Sequence, residues 1–273
     1  MTYLVANYNN GRYFGDVLAS LEVQTDSRWR CLICDDASTD GSLAFVETRM
    51  RSSSAQERIR LLRNERNLGY AGTLKKLLAH AETDIVAILD ADDALMPRAT
   101  EMILQAYAQD PGAAFVYSKH ADLDAALGSV QCVRGERVPE GSTSLTRGFV
   151  GHLWSFRRSL YDRTAGWDET MLYCEDRDLI YKLEELARPV FVDAVLYKRR
   201  VLPTSQSNDP AKRYKGKVNH IRARKNALCR RGIGGMRYCL TLLSYYVRDH
   251  PHPIMTLLLP LKWVLSKFDL PDA

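Results

Sequence analysis

Apolar runs and amphipathic helical segments alternate along the first 118 residues, and this alternation constrains the fold more than any other feature. Helices are expected between the runs because apolar side chains recur there with helical spacing, as at Phe14, Val17 and Leu21. The runs themselves predict five strands, in TYLVANYN, WRCLICDD, RIRLLRN, DIVAILD and AAFVYS. This order predicts an α/β fold with a mostly parallel central sheet and helices on both faces.

Carboxylates follow two of these predicted strands. Asp35 and Asp36 close the second run, and Asp90, Asp92 and Asp93 close the fourth. Ligands of parallel α/β sheets bind beyond the carboxyl ends of the strands, so we expect both acidic clusters at one edge. The D-x-D spacing suits a hard divalent cation that neutralises phosphate on a ligand. The alternative is that these acids cap helices and turns and face solvent.

Four blocks together resemble family 2 of the inverting glycosyltransferases: VANYNNGRYFGDVLASLEVQT, CLICDDASTDGS, NLGYAGTLKKLLAHAETDIVAILDADDALMP and FRRSLYDRTAGWDETMLYCEDRDLIYKL. They follow the family's order and spacing from about residue 2 to 207. The resemblance implies a Rossmann-like GT-A domain over residues 1–208. Its nucleotide-sugar half would span about 1–118 and its acceptor half about 119–208, followed by a basic and amphipathic helical C-terminal extension over 209–273.

The resemblance also implies roles for individual residues. Asp92 would bind Mn²⁺ or Mg²⁺ directly, and Asp90 would lie near the metal or the ribose. Either Asp35 or Asp36 would accept a hydrogen bond from the base or ribose. The whole donor site would comprise Ala6, Asn7, Tyr8, Asp35, Asp36, Asp90 and Asp92.

On the acceptor side, the resemblance makes Asp176 the catalytic base that deprotonates the attacking hydroxyl as the anomeric carbon inverts. Glu175 would position the acceptor, and His152 and Trp154 would line the acceptor pocket, with a packed structural role as an equal alternative for His152. From the residues alone, the acids in CEDRDL could equally stabilise a helix N-terminus.

Several positions depart from the family's pattern. Ala37 stands where Gly is frequent, and Lys75 stands where Asn is frequent and is either solvated or in reach of a phosphate. The segment YKRRVLPTSQS lacks a His that is often found there, which leaves the third protein ligand of the metal open. Within it, Arg199 and Arg200 either contact the diphosphate or belong to the surface.

Charge and hydropathy address partners and location. The net charge of +5 is too small to indicate nucleic acid, and no nucleic-acid partner is expected. Nine Lys or Arg and no Asp or Glu lie between Lys212 and Arg231, which is typical of a solvated face, an anionic membrane contact or a phosphate-bearing acceptor. The apolar tail PIMTLLLPLKWVLSKF suits a bilayer interface, its own domain or a second subunit. With no signal peptide and no transmembrane run, we expect a cytoplasmic protein, with peripheral attachment at the inner membrane face as an option.

The sequence therefore predicts an inverting glycosyltransferase of the hexosyltransferase type. It would move a sugar from a nucleotide-diphosphate sugar to a glycan or lipid-linked acceptor in cell-surface polysaccharide synthesis. Two alternatives stay open. One is a magnesium-dependent phosphohydrolase with an aspartyl nucleophile, although Ala94 stands where that family has Thr or Val. The other is a non-catalytic nucleotide-sugar-binding or membrane-associated scaffold.

Overall fold

The computed structural model describes residues 1–146, 149–202, 209–235 and Cys239. Within them, the strands are β1 Thr2–Asn7, β2 Arg30–Asp35, β3 Ile59–Arg63, β4 Ile85–Ile88, β5 Ala94–Leu95, β6 Phe115–Leu123, β7 Val130–Arg134, β8 Trp154–Arg157 and β9 Val190–Arg200. The α-helices are α1 Phe14–Glu22, α2 Ser42–Arg51, α3 Gly69–Ala79, α4 Ala99–Gln109, α5 Arg158–Tyr161, α6 Glu175–Glu184 and α7 Pro210–Arg230. Short 3₁₀ helices cover Gly11–Tyr13 and Gln56–Arg58.

All nine of these strands form one sheet, in the order β3-β2-β1-β4-β8-β6-β9-β5, with β7 added on β6. Pairing is parallel from β3 through β4 and again between β6 and β9. The predicted parallel α/β fold is therefore confirmed, with one refinement. Strand β8 lies antiparallel between β4 and β6, so the five strands predicted from the sequence do not lie side by side as one parallel set.

Two apolar layers enclose the sheet, one on each face. Because side chains alternate along a strand, Tyr3 and Val5 of β1 point to one face and Leu4 points to the other. The first layer packs against α1, α2 and α4, and the second packs against α3 and α6. Helices thus cover both faces, and the carboxyl edge of the parallel strands stays available for a site.

Helix α7 belongs to the predicted C-terminal extension. It begins at a cap in which Asp209 accepts hydrogen bonds from the backbone N–H of Ala211 and Lys212. Its apolar side, including Ala227 and Leu228, packs with Tyr181 of α6 in a third buried cluster. Helix α7 therefore rests on the acceptor half, and the boundary at residue 208 stays a prediction.

The apolar tail, for which we considered a bilayer interface, its own domain or a second subunit, lies outside the described residues. Within the described residues, no helix combines the length and the apolar character that crossing a membrane requires.

Candidate active site

A polar pair closes β1 and β2 at the carboxyl edge. Asn7 lies opposite Asp35 in the parallel register, and its Nδ2 donates to Asp35 Oδ1 at 2.9 Å. The second oxygen of Asp35 accepts from the backbone N–H of Ser38 at 3.1 Å. Among the described residues, the buried Asn7 Oδ1 has no hydrogen-bond partner. Ala6 is partly buried beside this pair, and Tyr8, 46% exposed, follows it.

Asp36 serves a different purpose from its neighbour. Its carboxylate accepts from Asn64 Nδ2 at 2.7 Å and from the backbone N–H groups of Leu68 and Gly69 at 2.7 and 3.0 Å. These amides begin α3, so Asp36 satisfies the orphan donors of that helix from the adjacent strand. Asp36 is thereby tied to the fold.

The departure at Ala37 also has a structural meaning. Ala37 adopts φ of +59°, in the left-handed region where a Cβ is crowded by the backbone. Glycine avoids that cost, which accounts for the frequency of Gly at this position in the resembling family.

Two tyrosines hold the first acid of the D-x-D segment. Tyr70 Oη donates to Asp90 Oδ1 at 2.7 Å, and the backbone N–H of Asp90 donates to Tyr197 Oη at 3.0 Å. Burial raises the pKa of Asp92 to about 6, and the negative charge of Asp90 adds to the shift. The two carboxylates therefore lie close enough to repel each other in a desolvated pocket.

These two carboxylates fit a divalent cation. Their oxygens are the ligands that Mg²⁺ and Mn²⁺ prefer, and a cation would relieve both the burial and the mutual repulsion of Asp90 and Asp92. No group of three His, Cys, Asp or Glu side chains suited to a metal occurs in the described part of the chain. Such a site would be completed by phosphate oxygens and water, as is common for Mg²⁺.

The third acid and the two arginines are structural. Asp93 is buried and accepts from the backbone N–H of Arg200 at 2.7 Å. The Arg200 side chain, only 5% exposed, donates to the Asp92 carbonyl at 2.7 Å and to Asp16 Oδ2 at 2.6 Å. Arg199 pairs with Asp122 at 2.6 Å. The interpretation of Arg200 as a surface residue was wrong, because it fastens the D-x-D backbone to α1.

The three acids in the first turn of α6 also differ in their burial and contacts. Asp178 is buried and pairs with Lys182 at 2.5 Å, so it supports the helix. Glu175 is 7% exposed, and burial raises its pKa to about 7. Asp176 is partly exposed, and its Oδ1 accepts from the backbone N–H of Arg177 at 2.7 Å. Asp176 is thus the partly exposed acid among the three in the first turn of α6.

The start of α6 and the D-x-D segment both act electrostatically on Tyr70. The pKa of Tyr70 is raised well above its usual value. Burial is the largest cause, followed by the charge of Asp90 and then by the charges of Asp176 and Glu175. Tyr70 therefore lies within electrostatic reach of both acidic groups. The structure brings together the D-x-D segment and the predicted catalytic base, which are 84 positions apart in the chain (176 minus 92).

The two residues predicted to line the acceptor pocket lie in different surroundings. His152 stacks on Tyr197 with ring centroids 5.0 Å apart, and its Nδ1 lies 3.9 Å from Asp90 Oδ2. His152 therefore lies beside the D-x-D segment and β9. Trp154 is only 3% exposed and stacks on Phe156 in the core at 5.5 Å, so we withdraw it from the acceptor pocket.

Sequence reasoning missed Tyr70 and Tyr197 as supports of Asp90. Tyr70 follows the NLG motif, and helical periodicity places it in the first turn of α3, but nothing local marks its hydroxyl as a donor to Asp90. Tyr197 reaches the site because β9 pairs beside β6 and β5, which the sequence pattern does not reveal. Lys75, where Asn is frequent, pairs with Glu169 at 2.7 Å on the surface.

Comparison with known proteins gives the family. The sequence profile of Glycosyl transferase family 2 matches residues 2–164. The putative glycosyltransferase EpsE of Bacillus subtilis (strain 168) is 33% identical over 101 residues, covering 37% of this chain and 36% of that protein. Chondroitin synthase of Escherichia coli is 25% identical over 233 residues, covering 85% of this chain and 33% of that protein. The matched regions thus span about a third of the length of these curated relatives.

Solved structures share the fold. The crystal structure of S. aureus TarS 1-349 in complex with UDP aligns with a TM-score of 0.67 at 18% identity, covering 94% of this chain and 74% of that one. The mannosyltransferase PcManGT from Pyrobaculum calidifontis, in complex with GDP-Man and Mn²⁺, aligns with a TM-score of 0.64 at 19% identity, covering 98% and 80%. These likenesses support the GT-A fold. The profile match covers more than half of the chain, so the protein belongs to glycosyl transferase family 2 and not to the phosphohydrolases with an aspartyl nucleophile.

Proposed function

We propose that the protein transfers a sugar from a nucleotide-diphosphate sugar to a hydroxyl of a glycan or lipid-linked acceptor, with metal assistance and inversion of the anomeric centre. The observation that carries this proposal is the shared edge of Asn7 and Asp35, the D-x-D segment and the start of α6. Base, diphosphate and acceptor would occupy that edge in this order. The complexes of TarS with UDP and of PcManGT with GDP-Man and Mn²⁺ support a nucleotide-sugar donor and a divalent cation.

The nucleoside would lie against the ends of β1 and β2, beside Ala6 and Tyr8. Asp35 is our choice for the acidic contact, because Asp36 already accepts three hydrogen bonds, two of them from the backbone at the start of α3. The unpartnered Asn7 Oδ1 next to Asp35 offers a second acceptor to the imide N–H of a base or to a ribose hydroxyl.

The diphosphate would lie over the D-x-D segment. Asp92 would hold Mn²⁺ or Mg²⁺ with help from Asp90, and such a cation neutralises charge on a departing diphosphate. Tyr70 and Tyr197 keep Asp90 in place through its side chain and its backbone, respectively. Arg200 holds the Asp92 carbonyl, so the orientation of the segment is fixed before the donor arrives.

Asp176 would remove the proton of the acceptor hydroxyl as its oxygen attacks the anomeric carbon from the side opposite the diphosphate. The bond from the acceptor oxygen to the anomeric carbon forms while the bond to the phosphate oxygen breaks. The proton ends on Asp176, and the nucleoside diphosphate leaves. Glu175, with its pKa near 7, would be substantially protonated at neutral pH and able to donate a hydrogen bond to the acceptor.

The test is the Asp176→Asn variant. It should bind a nucleoside diphosphate with Mn²⁺ as the unaltered protein does, yet lose turnover of the donor sugar, about 100-fold or more for a general base. Turnover can be followed as release of nucleoside diphosphate from UDP- and GDP-sugars, with water replacing an acceptor. A scaffold would show no turnover in either form. Equal turnover in both forms would contradict the role of Asp176.

A further inference from the structure

A cavity of about 630 Å³ lies next to the proposed catalytic base, and its lining includes none of the side chains that were given a role in the reaction above. Its walls come from β7, the segment that follows β7, the first turn of α6 and the middle of α7. Pockets of about 300–1,000 Å³ are typical for small molecules, so one or two sugar rings fit.

The walls of this cavity are positively charged. Arg134, Arg177 and Arg224 line it, against a single acid, Glu136. Arg134 is partly balanced by Asp122 at 2.9 Å. The formal charge of these four lining residues is therefore +2, from three arginines and one glutamate, before any histidine is counted. An anion would be attracted into the space.

Arg177 is the arginine best placed to meet that anion. Among the described residues its guanidinium forms no ion pair, and it lies over the ring of Phe149 with Cζ 4.9 Å from the centroid. The ring holds the guanidinium in place without neutralising it. A planar guanidinium fork matches carboxylate and phosphate oxygens, so Arg177 is prepared for bidentate recognition.

The position of Arg177 ties the cavity to the reaction. It follows Asp176 directly on α6, and its own backbone N–H donates to Asp176 Oδ1. A molecule bound in the cavity would therefore have its hydroxyls within reach of the base while its anionic group meets Arg177. The exposed side chains of Phe149 and Val133 offer apolar surface against which a sugar ring can pack.

We infer that this cavity is an acceptor subsite for an anionic saccharide, one that carries a carboxylate or a phosphate, with Arg177 as the residue that determines this specificity. The inference rests on the proposed function, since it takes Asp176 as the base. It narrows the acceptor from any hydroxyl compound to a charged one.

The test measures binding of three small probes to the full chain by ligand-observed NMR. The probes are methyl glucuronide, glucose 6-phosphate and the neutral methyl glucoside. At least one anionic probe should bind about tenfold tighter than the neutral one, as a charge-assisted hydrogen bond provides. The tighter of the two anionic probes then tells carboxylate from phosphate. Equal binding of all three, or no binding of either anion, would overturn the inference.

Variants assign the effect to the cavity. Arg177→Gln should abolish the preference for the anion, and Arg177→Lys should keep much of it. The exposed Arg188, beyond the far end of α6, supplies the matched control Arg188→Gln, which should change nothing. A preference that survives in Arg177→Gln contradicts the assignment.

Failure of this inference is distinguishable from failure of the proposed function. Binding of UDP or GDP with Mn²⁺ reports on the donor site and should be the same in Arg177→Gln and in the unaltered protein. If Arg177→Gln weakens the nucleotide and leaves the sugars unaffected, the cavity belongs to the donor and the inference is wrong. If no nucleotide binds while the anionic sugars do, the proposed function falls.

Discussion

Replacing Glu175 with Gln should make the protein more stable at alkaline pH. Burial raises the pKa of Glu175 to about 7, from 4.5 for the free side chain. Between these two values the unfolded chain has lost this proton while the folded chain keeps it. The free energy of unfolding should therefore fall as the pH rises from 4.5 to 7.

The magnitude follows from the size of the shift. One pKa unit corresponds to about 1.4 kcal/mol, so the shift of Glu175 costs about 3 kcal/mol once the carboxylate is ionised in both states. Glutamine has nearly the same shape and cannot ionise. We expect Glu175→Gln to match the unaltered protein near pH 4.5 and to exceed it by up to about 3 kcal/mol above pH 7.

Urea denaturation at a series of pH values measures this difference. Asp162→Asn, at an exposed acid, is the control and should follow the unaltered protein. A Glu175→Gln variant with the same pH profile as the unaltered protein would refute the reasoning. It would show that Glu175 is ionised at neutral pH and would reopen the choice of Asp176 as the base.

Three further predictions concern the support of the site. Asp36→Ala leaves the backbone N–H of Leu68 without its acceptor and removes one of two acceptors from Gly69 N–H and Asn64 Nδ2, so it should lower the free energy of unfolding by about 1–3 kcal/mol, measured in urea; a loss under about 1 kcal/mol would contradict its capping role. Ala37→Gly relieves a left-handed residue and should raise the melting temperature by a few degrees, through about 0.5–1 kcal/mol; a lower melting temperature would show that no strain is relieved. Tyr70→Phe removes the donor to Asp90 and should weaken Mn²⁺-dependent nucleotide binding about tenfold in calorimetry; unchanged affinity would separate Asp90 from the metal.

The sequence was most informative where a local pattern has one structural meaning. Apolar runs that stop at polar residues marked the strands, and the rule for parallel sheets then placed Asp35 and Asp90 at one edge. The same pattern could not assign Asp35 and Asp36 to different tasks. That difference comes from side-chain alternation at the end of β2, which turns one carboxylate toward Asn7 and the other toward the start of α3.

Long-range assembly was beyond the sequence. Strand β8 inserts beside β4 although about 65 residues separate them, and the spacing of hydrophobic residues does not encode which neighbour a strand selects. The sequence likewise does not reveal that Tyr197 supports Asp90. The cationic cavity is formed from β7, α6 and α7, so its arginines are neighbours only in the folded chain.

The central claim, a metal-assisted nucleotide-sugar site at the carboxyl edge, is tested most directly by thermal stabilisation. The melting temperature would be measured with UDP, GDP, dTDP and CMP, each with and without Mn²⁺, for the unaltered protein and for Asp92→Ala. A ligand that binds only the folded state raises the melting temperature by mass action. We predict that one nucleotide stabilises the unaltered protein only with Mn²⁺ and that Asp92→Ala abolishes this shift. Stabilisation that needs no metal, or that survives in Asp92→Ala, would contradict the metal site, and no shift with any nucleotide would contradict the donor site.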